Sequence, residues 1–111
     1  MATTWSYRAG VQRNDSLIDF DVHAIDGDIG KIVEESLEVD ASHLVVDTGF
    51  WIFGNKRVVP AQAVRQINHE DQTVFIDLTK DEVKGAPDHH DDWSGPVDRE
   101  PFTSYYTPFQ W

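Results

Sequence analysis

Apolar and polar positions alternate in short runs through most of the chain. Ile18, Phe20, Val22 and Ala24 are separated by Asp19, Asp21 and His23, the two-residue period of a strand with one buried face. "IDGDIG" (25–30) follows, and its Asp26-Gly27 step marks a hairpin, because glycine accepts the positive φ of a tight turn. An extended pattern resumes over Ile29–Val39, interrupted at Glu34–Ser36. "DASH" (40–43) turns the chain into the β-branched run Leu44–Thr48, with Gly49 as a bend or bulge. The aromatic stretch Phe50–Phe53 reads as the next strand, closed by "GNK" (54–56). Arg57–Val59 is a short extended piece that stops at Pro60, which lacks the amide a ladder needs.

The second half continues in kind. Ala61–Val64 is expected to make a helical turn after Pro60, Arg65–Ile67 is extended, and "NHEDQ" (68–72) is a turn. Thr73–Leu78 is the last alternating strand, with Val74, Ile76 and Leu78 on one face and Phe75 on the other. Thr79 and Glu82 have capping-box spacing and predict one or two helical turns ending near Gly85 and Pro87. Short strands broken by frequent turns, with no long helical period, predict an all-β fold: a small, mostly antiparallel six-stranded β-barrel with a short C-terminal helix. Barrel closure would also remove exposed strand edges. The expected organisation is a lead-in over 1–16, the barrel over 17–87, and an acidic, aromatic tail over 88–111.

Two apolar surfaces are left over. A strand sends side chains to alternate faces, so only two of Phe50, Trp51, Ile52 and Phe53 can enter one core. The other two need a cover, supplied by the same chain, by a partner, or by a small ligand in a pocket. The tail, meanwhile, carries Trp93, Phe102, Tyr105, Tyr106, Phe109 and Trp111, too many aromatics for a purely solvated segment. Tyr105, Tyr106, Phe109 and Trp111 are therefore expected to pack against the outer pair, within the chain or on a second copy.

Composition narrows the functional classes. The 111 residues fit one domain, and 40% apolar content supports a real core. A net charge of −11 with nine scattered basic residues argues against nucleic acid or an anionic membrane as partner. No apolar run reaches the length of a membrane span, and the amino terminus reads as lacking a targeting signal, so a soluble, cytoplasmic protein is expected. With no cysteine, disulfides, thiolate nucleophiles and Cys-ligated zinc are excluded.

Chemistry-bearing motifs are sparse. "DHHDD" (88–92) has metal-binding residue types, but consecutive residues of an extended segment point in different directions and a metal site needs fixed vectors. His23, His43 and His69 are isolated and read as surface or turn residues. Asp47 and Asp77 lie inside apolar runs and are expected to cap turns or accept hydrogen bonds. There is no nucleophile elbow, HExxH pair or phosphate-cradling glycine loop. No catalytic residue, metal or cofactor is assigned.

"DFDVHAIDGDIGKIVEES", then "HLVVDTGFWIFGNKRVVPAQAV", then "VFIDLTKDEVKGAP" together resemble the PRC-barrel family in the order and spacing of their elements. The resemblance covers about Ile18 to Pro87. It implies a small β-barrel that works by binding proteins, with Gly27, Gly30, Pro60 and Pro87 serving the fold. Such domains occur in the cytoplasmic part of the photosynthetic reaction-centre H subunit, in the carboxy-terminal domain of a ribosome-maturation factor, and as stand-alone bacterial and archaeal proteins. This chain is most similar to the stand-alone group. The expectation is a non-enzymatic interaction module that self-associates as a homo-dimer or higher oligomer, or docks on a protein partner. The alternatives are a ligand- or metal-binding regulatory domain, or an accessory to a photosynthetic or ribosome-maturation complex.

Overall fold

The alternating runs form strands where expected. In a computed structural model, which describes residues 7–8, 10–11, 16–37, 42–49, 56–86, 105–106 and 108–109, β1 is Asp21–Ala24, β2 Gly27–Ser36, β3 His43–Asp47, β4 Lys56–Pro60, β5 Val64–Asn68 and β6 Thr73–Ile76. A single 3-10 turn, Ala61–Ala63, separates β4 from β5, and a short helix, α1 (Lys80–Lys84), follows β6. The strands make one six-stranded mixed sheet in the order β4-β3-β2-β1-β6-β5. Four of the five pairings are antiparallel, and β1 with β6 is parallel.

The hydrogen-bonded ladder is not closed: β4 and β5 stand at its two ends, so a curled open sheet takes the place of the expected closed barrel. The curl is imposed by the chain. In a flat sheet these two end strands would be ~24 Å apart, yet Pro60 and Val64 are joined by three residues, which reach at most ~15 Å. Backbone bonds brace this corner on both sides, from the Ala61 amide to the Ser42 carbonyl (3.0 Å) and from the Asp77 amide to the Ala63 carbonyl (2.9 Å).

Local sequence explains the joints. β1 and β2 form a two-residue hairpin over Ile25-Asp26, with Ala24 opposite Gly27. β2 runs through Glu34–Ser36 without the expected break, absorbing a register shift between Ile32 and Glu34 as it pairs with β3. Gly30 joins the two pairings of β2. Its φ is +144°, and a Cβ there would stand 1.9 Å from the Asp47 carbonyl oxygen, so only glycine lets the backbones approach. β1 starts later than the sequence suggests: Asp19 is in a turn with φ +73°, and Ile18 is 38% exposed, while Phe20, Val22 and Ala24 are buried. Asp19 therefore does not share a strand face with Asp21.

The core draws on every strand and on more distant residues: Leu17, Ile29, Ile32, Leu44, Val46, Val59, Val74, Ile76, Leu78 and Val83 are all 0–1% exposed. Tyr7 and Val11 pack against it from the lead-in. Arg8 ties that segment down, its Nη2 donating to Asp77 Oδ2 (2.7 Å) and its Nε to the Gln62 carbonyl (2.8 Å).

Candidate protein-interaction surface

β4 has an unusual burial pattern for an end strand. Arg57, Val58, Val59 and Pro60 are buried in succession, although their side chains must alternate between two faces. Both faces are therefore covered. α1 packs against β4, and the tail completes the cover: Tyr106 is fully buried, and its hydroxyl donates to the Val58 carbonyl at 2.6 Å.

α1 is positioned by side chains chosen for that purpose. The Glu82 amide donates to Thr79 Oγ1 (3.1 Å) and Glu82 Oε1 accepts from the Thr79 amide (2.8 Å), the reciprocal capping box expected from the sequence. Asp26, at the β1–β2 hairpin, accepts from the Lys80 amide at 2.8 Å and fixes the start of the helix to the sheet. At the other end, Tyr105 Oη donates to the Glu82 carbonyl at 2.5 Å, one of the carbonyls that a short helix leaves without an internal partner. Gly85 makes room: a Cβ there would come within 2.9 Å of the Tyr105 hydroxyl.

The docked segment is itself a compact aromatic unit. Ring centroids lie 5.0 Å apart for Tyr105 and Tyr106, 5.8 Å for Tyr105 and Phe109, and 5.9 Å for Tyr106 and Phe109. The Phe109 amide donates back to the Tyr106 carbonyl (3.0 Å), closing a turn. Arg57 lies beneath, 5% exposed, with Nη1 donating to the Lys56 carbonyl (3.1 Å) and Nη2 to the Lys84 carbonyl (3.5 Å). Burial, reinforced by Tyr105, holds the Tyr106 phenol far above its ordinary value of 10.0, against a lowering pull from Arg57. Tyr105 is also raised, by burial and then by the Glu82 carboxylate. Both phenols thus stay protonated and able to donate.

Three of the eight residues singled out in the sequence, Tyr105, Tyr106 and Phe109, are brought together here, docked within the chain. Phe50, Trp51, Ile52, Phe53 and Trp111 lie outside the described residues, as does the "DHHDD" run. β3 and β4 pair directly, with Asp47 opposite Lys56. The receiving groups, Arg57, Val58 and Glu82, were not marked by the sequence. The signal was the Val58-Val59 pair, two consecutive apolar residues on a short strand.

A cleft of about 430 Å³ opens where β2 meets the end of β3, lined in part by Asp19, Asp28, Lys31, Asp47 and Gly49. Two of its carboxylates serve their own turns: Asp28 accepts from the Gly30 amide (3.2 Å) and Asp47 from the Gly49 amide (2.9 Å). Among the described residues no group of three His, Cys, Asp or Glu side chains is placed to hold a metal. His23 and His69 are half-buried and rest on aromatic rings, His23 5.5 Å from Phe75 and His69 6.0 Å from Phe20. Among the described residues, no helix is long and apolar enough to cross a membrane.

Comparison with models of known protein families gives no match, and comparison with curated proteins gives none.

Proposed function

We propose that this chain is a non-enzymatic, cytoplasmic protein-interaction module of the PRC-barrel type, its curled, open sheet being the counterpart of that family's small barrel. The order of the sequence elements and the short capped helix after β6 support this reading. One observation carries the function: the β4–α1 face receives an aromatic segment from far along the chain, with Tyr106 buried and bonded to the Val58 carbonyl. Large aromatics seated in a dry pocket, with a polar tip satisfied, are the anchors that dominate protein interfaces. Phe50–Phe53 supply a second group of such anchors, for a second copy or another protein.

Light scattering of the full chain over a wide concentration range tests self-association. A dimer or larger species is expected, and Trp51→Ser with Phe53→Ser should shift it toward monomer. A strict monomer at high concentration counts against self-association. The cleft beside Asp28 and Asp47 supports a second reading, a ligand-regulated domain. Calorimetric titration with divalent cations checks its metal-binding form, for which heat and added thermal stability are expected.

A further inference from the structure

The tail docks as a ligand would, and its tether is far longer than that docking needs. Ala86 leaves α1 and Tyr105 returns to it, the Tyr105 hydroxyl reaching within 2.9 Å of the Cβ position of Gly85. About three or four residues could bridge the gap. The connecting residues 87–104 number eighteen, and such a length can span ~60 Å. Contacts inside the docked unit are local, Tyr105 with Tyr106 and each with Phe109, closed by the Phe109–Tyr106 backbone bond. These contacts use no residue of the receiving face. The unit's two hydroxyl contacts to that face end on backbone carbonyls, of Val58 and Glu82, which present the same geometry in every copy.

We propose that the β4–α1 face is a peptide-docking site whose resident ligand is the Tyr105–Phe109 unit, and that the same unit of a second copy is its occupant in trans. This rests on the reading of the chain as an interaction module, and it names the segment and the face involved. The tether places the chain's own unit at a high effective concentration. The site of an intact chain is therefore filled, and exchange with a second copy becomes visible when the resident unit is weakened.

The test uses full-length chains and a fluorescent peptide of residues 101–111, followed by anisotropy. The Tyr106→Ala chain should bind the peptide at least tenfold more tightly than the unaltered chain, and the same peptide carrying Tyr106→Ala should not bind. If Tyr106→Ala does not fold, Tyr106→Phe decides: it keeps the ring, loses the bond to Val58, and should bind the peptide several-fold more tightly than the unaltered chain. A folded variant that gains no affinity, or that accepts both peptides equally, overturns the proposal. A chain that captures the peptide but stays monomeric in light scattering removes only the self-association reading. An oligomer that ignores the peptide removes only the docking site.

Discussion

The two halves of the sheet are built from similar residues and solve burial differently. In β3 and β4 the apolar residues are consecutive: Leu44, Val45 and Val46 in one, Val58 and Val59 in the other, all 0–1% exposed. In β1 and β6 they alternate, Val22 and Ala24 inward, then Val74 and Ile76 inward. The second face of the β1/β6/β5 half is covered only thinly, by a row of side chains in which His23 lies 5.5 Å from the Phe75 ring and the Arg65 guanidinium 5.3 Å from it. At the β4 end, the second face is closed by α1 and by Tyr106, which is 48 positions from Val58 in the chain. A continuous apolar run is thus a demand for a distant cover, and an alternating one can be completed locally.

Gly30 stands between these halves, opposite Val22 on one side and against Asp47 on the other. Breaking the join there should have the largest effect. In Gly30→Ala the new methyl meets a backbone carbonyl, and φ +144° adds strain. A loss of more than about 4 kcal/mol is expected, enough to lower the melting temperature by some 15 °C or more. A cooperative melt within a few degrees of the unaltered chain would show that β2 and β3 can part without harm.

Next in size is a direct test of the difference between the halves. Tyr106→Ala empties a fully buried site and should cost about 3–5 kcal/mol in denaturant unfolding. Phe75→Ala, an aromatic of similar bulk on the half-exposed face, should cost about 1 kcal/mol. Equal losses would mean that the two second faces are covered equally well.

How much of this was legible depended on how local each cause is. The Asp26-Gly27 hairpin, the turn after Pro60, the Val74/Ile76 face of β6 and the Thr79–Glu82 box depend on neighbours within a few positions, and all are seen. Asp47 and Asp77 accept hydrogen bonds as expected, Asp77 from Arg8. The open order of the sheet, the parallel β1–β6 pairing and the Arg8 tie across 69 positions leave no local trace. For the site, an excess of aromatics drew attention to Tyr105, Tyr106 and Phe109, which pack together with the two tyrosine hydroxyls on the Glu82 and Val58 carbonyls. The expected contact with Phe50–Phe53 lies outside the described residues. The receptors of the hydroxyls are backbone carbonyls, and every residue has one, so composition could not point to Val58 or Glu82. The continuity of β2 was missed because Glu34, Glu35 and Ser36 look like a turn, while a register shift lets their polar side chains share a strand.

A smaller change isolates the polar tip of the cover from its bulk. Tyr106→Phe keeps the ring and removes the donor to Val58, at a cost of about 1–2 kcal/mol. It should also alter the alkaline limb of stability. Burial raises the Tyr106 phenol in the folded chain above its ordinary value of 10.0, so above about pH 10 the unfolded chain gives up a proton that the folded chain keeps. Stability from this group is complete below pH 10 and falls above it, by up to about 1.4 kcal/mol per pH unit. In Tyr106→Phe that slope should shrink by one tyrosine's share, read by denaturant midpoints at pH 9 to 11. An unchanged slope would mean that the phenol is reachable by water.

The smallest expected effect concerns the helix that holds the cover in place. Thr79→Ala removes one half of the capping box and leaves the Glu82 amide without its side-chain acceptor, a change worth about 1 kcal/mol. The loss should not spread evenly. α1 meets β4, and Tyr105 is fastened to the Glu82 carbonyl, so loosening the first turn also loosens the anchor of the tail. Hydrogen exchange should quicken for the amides of Val83 and Gly85 and around Tyr106, while Val74 and Ile76 keep the protection of the intact chain. If β6 is exposed to the same degree, the helix and the sheet open together. The cover would then be an inseparable part of the core, unable to lift from it as a separate layer.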